Sequence, residues 1–146
     1  MVDIQPENMA GRAGEEFINT CNNVIATYAP ENVIYIMNLR PLAPKPSSNP
    51  FTKGLQIVSD SIFTKRLPDA FSNHALKEKL MAMGADEVEV IGIDGNWCIK
   101  ATALGAVKNG FRAKVNVRAV ASKNKLAFEG RTLKKLVQAR VEVIVV

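Results

Sequence analysis

Apolar segments alternate with segments of helical periodicity along this chain, and that order constrains the fold more than any other feature of the sequence. The uninterrupted apolar run at residues 33–37 is typical of a strand buried on both faces of a parallel sheet. Strands and helices in this order predict a single α/β domain over residues 1–146, with right-handed crossovers and a mainly parallel sheet. The predicted strands are residues 1–4, 33–37, 55–63, 87–91, 111–117 and 141–146, and the predicted helices are residues 14–28, 69–83, 98–108 and 130–139.

The size and the cysteine content of the chain bound its class. A domain of 146 residues buries enough surface to fold without a disulfide or a metal. Cys21 and Cys98 fall on different predicted helices and lack the spacing of a metal or redox motif, so we expect free thiols and a cytoplasmic location. The sequence contains neither a charged-then-apolar leader nor an apolar run of about 18 residues, so we expect no signal peptide and no membrane partner.

The formal charge of +5 raises the question of a nucleic-acid partner. The basic residues late in the chain are spread over several predicted elements, and no helix-turn-helix, RNA-recognition or zinc-finger pattern occurs. We therefore favour a solvated surface over a nucleic-acid interface. The residues concerned are Lys108, Arg112, Lys114, Arg118, Lys123, Lys125, Arg131, Lys134, Lys135 and Arg140.

A cysteine stands where a predicted strand passes through a glycine-containing turn into a helix. The strand at residues 87–91 leads through residues 92–97 to Cys98. A thiol at a helix N-terminus lies near unpaired backbone N–H groups, which favour the thiolate and lower its pKa below the usual value of about 8.5. The same arrangement holds the serine of a nucleophile elbow. The alternative, a buried structural cysteine, stays open at this point, because free cysteine is among the most buried residue types.

Two further residues with charged side chains follow other predicted strands. Asp3 follows the first strand, and Lys65 follows the extended segment at residues 55–63. The carboxyl ends of parallel strands meet at one edge of a sheet, where α/β proteins bind their ligands. We therefore expect Asp3, Lys65 and Cys98 to converge at this edge.

The motifs around these three residues resemble those of the isochorismatase-like cysteine hydrolases, a family that includes nicotinamidases and N-carbamoylsarcosine amidohydrolases. Residues 2–5 (V-D-I-Q) resemble that family's D-x-Q, residues 65–71 (K-R-L-P-D-A-F) its K-x-x-x-S-A-F, and residues 92–99 (G-I-D-G-N-W-C-I) its G-[VI]-x-T-x-x-C-V. The resemblance covers nearly the whole chain. With the order of elements, it leads us to expect a Rossmann-like three-layer α/β/α sandwich whose mainly parallel sheet has about six strands.

The resemblance implies a catalytic triad and a small-molecule substrate. In that triad Cys98 is the nucleophile, Asp3 is the general base and later the acid, and Lys65 is the cation that holds both in their ionised forms. The backbone N–H groups of Asp94 and Cys98 would bind the oxyanion, after a cis peptide between Ile93 and Asp94. We assign substrate contacts to Phe71, Asn96 and Trp97, and we expect no cofactor and no metal.

The chain also departs from the family pattern. Only two residues precede Asp3, which predicts either a shortened first strand or a start codon placed too far downstream. Gly95 replaces the usual threonine, and Asp69 replaces a small residue, which predicts a reshaped pocket or an extra carboxylate beside Lys65. Residues 38–40 (N-L-R) stand where the acidic and histidine metal ligands of nicotinamidases are expected, so nicotinamidase is disfavoured.

Two other functions remain as alternatives. A catalytically silent relative that serves ligand binding or assembly would tolerate these departures. A nucleotide-binding Rossmann module is disfavoured, because no G-x-G-x-x-G follows the first strand and no P-loop occurs.

We also expect a homo-oligomer, dimer or larger, and we interpret the proline-rich residues 41–50 as a lid or a partner contact.

Overall fold

The computed structural model describes residues 1–39 and 50–146, so most of the predicted lid lies outside the described residues. The described strands are β1 (Tyr35–Asn38), β2 (Ile62–Lys65), β3 (Glu87–Ile93), β4 (Arg112–Ala121) and β5 (Glu142–Ile144). The described α-helices are α1 (Pro6–Met9), α2 (Glu15–Ile25), α3 (His74–Ala82), α4 (Lys100–Lys108), α5 (Lys125–Ala127) and α6 (Leu133–Gln138). Short 3-10 turns lie at Pro30–Asn32 and Ala70–Ser72, and wider π-type turns at Gly95–Ile99 and Phe128–Thr132.

Every strand pair is parallel within the described residues, which confirms the predicted α/β class. β1 pairs with β2, and β3, β4 and β5 form a second sheet in that order. Val2 connects the two sheets through parallel bridges to Ile36 and Gly92. Gly92 is required there, since its φ is +130° and a Cβ would lie 2.0 Å from the Val2 carbonyl oxygen.

The prediction of about six strands was wrong for the described part of the chain, which contains five strands in two sheets. The first predicted strand is reduced to the single bridging residue Val2, because Asp3 turns to a φ of +53° and ends the extended run. A cavity of about 370 Å³ lies where the two sheets are joined, and its lining includes Met1, Ile34 and Val90.

Helices cover both faces of the strands, as the three-layer prediction requires. Neighbouring residues on a strand point to opposite faces, so Tyr35 belongs to one core cluster and Ile36 to the other. The α2 face buries Ile4, Ile18, Cys21, Ile25, Tyr35, Ile91 and Ala119. The opposite face, which α3, α4 and α6 cover, buries Ile36, Leu76, Leu80, Val90, Ala103, Ala106, Val115 and Leu136.

Candidate active site

Asp3, Lys65 and Cys98 come together at the carboxyl ends of the strands. The Lys65 Nζ donates to Asp3 Oδ2 at 2.7 Å and to Cys98 Sγ at 3.4 Å. The side chain of Lys65 is fully buried, that of Asp3 is 3% exposed, and Cys98 is half-buried. The Lys65 ammonium therefore joins the buried Asp3 carboxylate to the Cys98 thiol. Of the three side chains, that of Cys98 is the most accessible.

Asp3 is held by the strand that it follows. Its N–H donates to the Ile36 carbonyl at 3.0 Å, and its own carbonyl accepts from the Gln5 N–H at 2.9 Å. Its φ of +53° lies in the left-handed region, which aspartate tolerates better than most residues. The Asp3 Oδ1 has no hydrogen-bond partner among the described residues, although it is buried. The Lys65 ammonium therefore bonds only one of the two carboxylate oxygens.

Lys65 ends β2, and the segment after it is fixed to helix α4. The Ala70 N–H donates to the Thr102 hydroxyl at 3.1 Å. The Asp69 carboxylate accepts from the Phe71 N–H at 2.9 Å and lies over Gly105, where a Cβ would be 2.3 Å from it. The aspartate that departs from the family pattern is therefore accommodated by a glycine on the facing helix.

Cys98 lies on the π-type turn Gly95–Ile99, which leads directly into α4. Asp94 caps this turn, because its carboxylate accepts from the Asn96 N–H at 2.8 Å. The peptide between Ile93 and Asp94 is cis, as expected from the family resemblance. The packing around residue 95 explains why it is a glycine, since a Cβ there would lie 2.6 Å from the buried Phe128 ring. Phe128 fills the space that a threonine side chain would need.

The charge balance at the site differs from the prediction for the thiol. Burial first, and then the negative charge of Asp3, raise the pKa of Cys98 to about 11, and Lys65 only partly opposes them. Burial also raises the pKa of the Asp3 carboxyl, again against the influence of Lys65. The predicted lowering of the Cys98 pKa was therefore wrong, because burial and the neighbouring Asp3 charge outweigh the effect of Lys65.

The predicted substrate contacts occupy three different environments. Phe71 is buried and packs on Phe111, with ring centroids 5.8 Å apart. The Asn96 amide donates to the Ser122 hydroxyl and the Asn124 carbonyl and accepts from Thr132, so its bonds lie within the protein.

Trp97 differs from both, since it is 67% exposed and has the Lys100 ammonium 5.9 Å from its ring centre. It lies in an open depression of about 580 Å³, whose lining also includes Asp94, Asn96 and Leu126. Trp97 is thus the predicted contact most accessible to a molecule arriving from solvent, and all three assignments remain predictions.

Several residues that sequence reasoning did not assign take part in the site. Arg12 and Ser122 both donate to the Asp94 carboxylate, at 3.4 and 2.8 Å, and Asn8 donates to the Asp3 carbonyl at 3.0 Å. Burial would raise the pKa of the Asp94 carboxyl, but the hydrogen bonds donated to it hold that pKa below the usual value. The four-residue spacing of Asn8 and Arg12 was the one local signal for their contact.

The described residues contain no cluster of three or more His, Cys, Asp or Glu side chains that could hold a metal ion. Within the same ranges, no helix is both long and apolar enough to cross a membrane.

The fold and the site define an α/β protein with a cysteine on a strand-to-helix turn beside a buried lysine and aspartate. The family model of the isochorismatase domain matches residues 1–146. The chain belongs to the isochorismatase family.

A curated relative is the uncharacterized isochorismatase family protein YddQ of Bacillus subtilis (strain 168). It is 31% identical over an alignment of 74 residues, and the match covers 46% of this chain and 41% of that protein. The match therefore spans about two fifths of the length of the curated relative.

Solved structures share the fold over nearly the whole chain. The pyrazinamidase of Pyrococcus horikoshii in complex with zinc has a TM-score of 0.78 at 21% identity, covering 100% of this chain and 97% of that one. The N-carbamoylsarcosine amidase from Thermoplasma acidophilum has a TM-score of 0.76 at 18% identity, covering 99% and 92%. The YcaC gene product of Escherichia coli, an octameric hydrolase of unknown specificity, has a TM-score of 0.79 at 16% identity, covering 99% and 72%. At these identities the similarity shows the fold alone.

Proposed function

We propose that this protein is a cysteine hydrolase that cleaves a small amide, ureido or related carbonyl compound through a thioester on Cys98. The observation that carries the proposal is the position of the Lys65 ammonium, 2.7 Å from Asp3 Oδ2 and 3.4 Å from Cys98 Sγ. A buried cation between a carboxylate and a thiol supports a site in which a proton passes from sulfur to carboxylate.

In the first half of the proposed reaction, Cys98 Sγ attacks the carbonyl carbon and its proton passes to Asp3. The raised pKa of Cys98, about 11, supports this order, because the thiol then needs a neighbouring base to take its proton as it attacks. The oxyanion would be held by the backbone N–H groups of Asp94 and Cys98. Asp3 then protonates the departing nitrogen as the C–N bond breaks, which leaves the thioester and a free amine or ammonia.

In the second half, water attacks the thioester carbonyl and Asp3 accepts a proton from that water. The C–S bond breaks, the acid product departs, and the sulfur recovers a proton. Lys65 stays charged throughout and stabilises the Asp3 carboxylate in each step where it carries no proton. Every proton in this scheme moves between the substrate, water, Asp3 and Cys98, so proton transfer uses no residue outside the proposed triad.

The test is the release of ammonia or amine from a panel of small primary amides and N-carbamoyl amino acids. We expect turnover of at least one class, a thioester mass increment on the peptide that contains Cys98, and a loss of roughly a thousandfold or more in Cys98→Ser. The matched control is Arg112→Gln at an exposed ion pair, which should leave the rate unchanged. If no compound reacts and no adduct forms on Cys98, a catalytically silent relative becomes the better account.

We also propose that the protein is a homo-oligomer, dimer or larger. Support comes from large apolar side chains that remain at the surface of the single chain, including Leu67 at 61%, Trp97 at 67% and Leu126 at 84% exposure. The octameric YcaC structure supports assembly for this fold. Sedimentation should give a mass of at least twice the 15.9 kDa of one chain. A monomer across micromolar concentrations would contradict the proposal. The cytoplasmic location stays a prediction.

A further inference from the structure

We propose that Arg12 is a positioning residue that ties the turn bearing Asp3 to the turn bearing Cys98. This inference rests on the proposed function, because it assigns Arg12 a role through the Asp3 and Cys98 pair. The hydrogen bonds of Arg12 go to Asp94 and Asn8, and not to the side chains of Asp3 or Cys98.

The link runs through one hydrogen bond on each side of the guanidinium. Arg12 Nε donates to Asp94 Oδ2 at 3.4 Å, and Arg12 Nη1 donates to the Asn8 carbonyl at 3.1 Å. Asn8 Nδ2 donates in turn to the Asp3 carbonyl at 3.0 Å. A short run of bonds therefore joins the backbone of Asp3 to the side chain that caps the Cys98 turn.

Each end of this link holds backbone that the site depends on. At one end, Asp3 has a φ of +53° and leaves the strand ladder after its bond to the Ile36 carbonyl, so the Asn8 amide adds a bond to the Asp3 carbonyl at this change of direction. At the other end, the Asp94 carboxylate also accepts from the Ser122 hydroxyl at 2.8 Å and from the Lys123 N–H at 3.1 Å. Arg12 thus joins the Asp94 carboxylate, which caps the Cys98 turn, to the helix whose Asn8 side chain bonds the Asp3 backbone.

The position of Arg12 fits this role better than a role at the surface. Its side chain is 28% exposed and that of Asp94 is 11% exposed. A planar guanidinium can donate to two acceptors in fixed directions, which is what this link uses. Neither Arg112 nor Lys114 has such a link to the site, since their ion pairs join Asp86, Glu87 and Glu142.

The test compares the rate of Cys98 alkylation by iodoacetamide between pH 7 and pH 10 in the wild type, Arg12→Gln and Asn8→Ala. Peptide mass spectrometry separates Cys98 from Cys21. If Asp3 is no longer held beside the thiol, its negative charge raises the thiol pKa less. We therefore expect both variants to react faster at pH 8, by about tenfold for a shift of one pKa unit.

The direction of the change separates positioning from simple charge. Loss of the Arg12 charge alone would destabilise the thiolate and slow alkylation, and Asn8→Ala changes no charge. The double variant should react no faster than the faster single variant, because both substitutions break the same link. Arg112→Gln is the matched control and should match the wild type. Urea unfolding midpoints establish that the variants are folded.

An unchanged or slower alkylation rate in folded Arg12→Gln and Asn8→Ala would overturn the inference. Lys65→Met in the same experiment separates this failure from failure of the proposed function. Removal of the adjacent cation should slow alkylation if Lys65 acts on Cys98. If Lys65→Met has no effect, the proposed triad fails; if it slows the reaction while the other two variants do nothing, only the role of Arg12 fails.

Discussion

At the scale of single residues, the burial of the Lys65 and Asp3 pair sets both the stability and the chemistry of the site. The two side chains are 0% and 3% exposed, and their charged atoms are 2.7 Å apart. A buried ion pair is stable only while both charges are present, because removal of one leaves the other desolvated and unpaired. The pair is therefore more sensitive to a single substitution than the ion pairs at the surface.

Lys65→Met should lower the free energy of unfolding by about 3–5 kcal/mol, because Asp3 is left as an unpaired buried carboxylate. Urea unfolding at pH 7 measures this loss. Arg112→Gln breaks ion pairs in which the arginine side chain is 70% exposed, and should cost no more than about 1 kcal/mol.

The double variant Asp3→Asn, Lys65→Met tests the cause of that loss. Once the buried carboxylate is gone, most of the stability should return, because no unpaired charge remains. If the double variant is as unstable as Lys65→Met, or less stable, the loss comes from packing of the lysine stem and the electrostatic explanation is wrong.

At the scale of elements, the turn that presents Cys98 depends on contacts with distant parts of the chain. Gly95 lies against Phe128 and Val120, with room for no Cβ, since the nearest atoms would be 2.6 and 2.9 Å away. The space occupied by Phe128, on the turn Phe128–Thr132, therefore limits residue 95 to glycine.

Gly95→Ala should destabilise the protein by about 1–3 kcal/mol, because the added methyl group overpacks a buried contact with an aromatic ring. The matched control is Gly130→Ala, where a Cβ would meet nothing within 4 Å, and this change should be neutral or slightly stabilising. Thermal unfolding of both variants measures the difference. Equal midpoints for the two variants would show that Phe128 moves aside at little cost.

The positions of the elements could be predicted from periodicity, but their ends depend on side-chain bonds. The predicted helix at residues 69–83 is divided into Ala70–Ser72 and His74–Ala82, because the Asn73 side chain caps the second part by accepting from the Ala75 N–H. The extended segment at residues 55–63 forms a strand only at Ile62–Lys65. Tyr35 explains part of this difference, since its hydroxyl bonds the Gln56 carbonyl and the Val58 N–H.

At the scale of the whole molecule, the sequence was sufficient to predict which residues meet but not the charge state of the thiol. Strand order places Asp3, Lys65 and Cys98 at one edge, and motif resemblance identifies them. The pKa of Cys98 depends on how deeply the folded chain buries it and on its separation from Asp3, which local sequence does not encode. The link through Arg12 is likewise visible only once Asp94 and Asn8 are placed in space.

The buried thiol of Cys21 and the half-buried thiol of Cys98 should make the protein sensitive to alkaline pH. Burial raises the pKa of Cys21 to about 12, and burial with Asp3 raises that of Cys98 to about 11, both well above the usual value for a thiol. A raised folded pKa contributes stability that is fully present below the unfolded pKa and is lost as the pH rises through the folded pKa. The free energy of unfolding should therefore fall from pH 9 upward, by about 1.4 kcal/mol per pH unit for each thiol.

Urea unfolding at pH 8, 9 and 10 measures this loss. Cys21→Ala costs some stability at every pH, but its further loss between pH 8 and pH 10 should be smaller than that of the wild type by about 1–1.5 kcal/mol. Parallel profiles for the two proteins would mean that Cys21 does not titrate in this range in the unfolded chain or is already charged in the folded one.

The central claim is that Cys98 is a neutral thiol in the free protein and that Asp3 both raises its pKa and accepts its proton. The most direct test is the rate of Cys98 alkylation by iodoacetamide between pH 7 and pH 10 in the wild type and in Asp3→Asn. For the wild type we expect a rate that rises about tenfold per pH unit without a plateau, since the thiol pKa is about 11. Asp3→Asn should react faster at pH 8, because the neighbouring negative charge is gone. A wild-type plateau below pH 8, or an Asp3→Asn rate no higher than that of the wild type, would contradict the account.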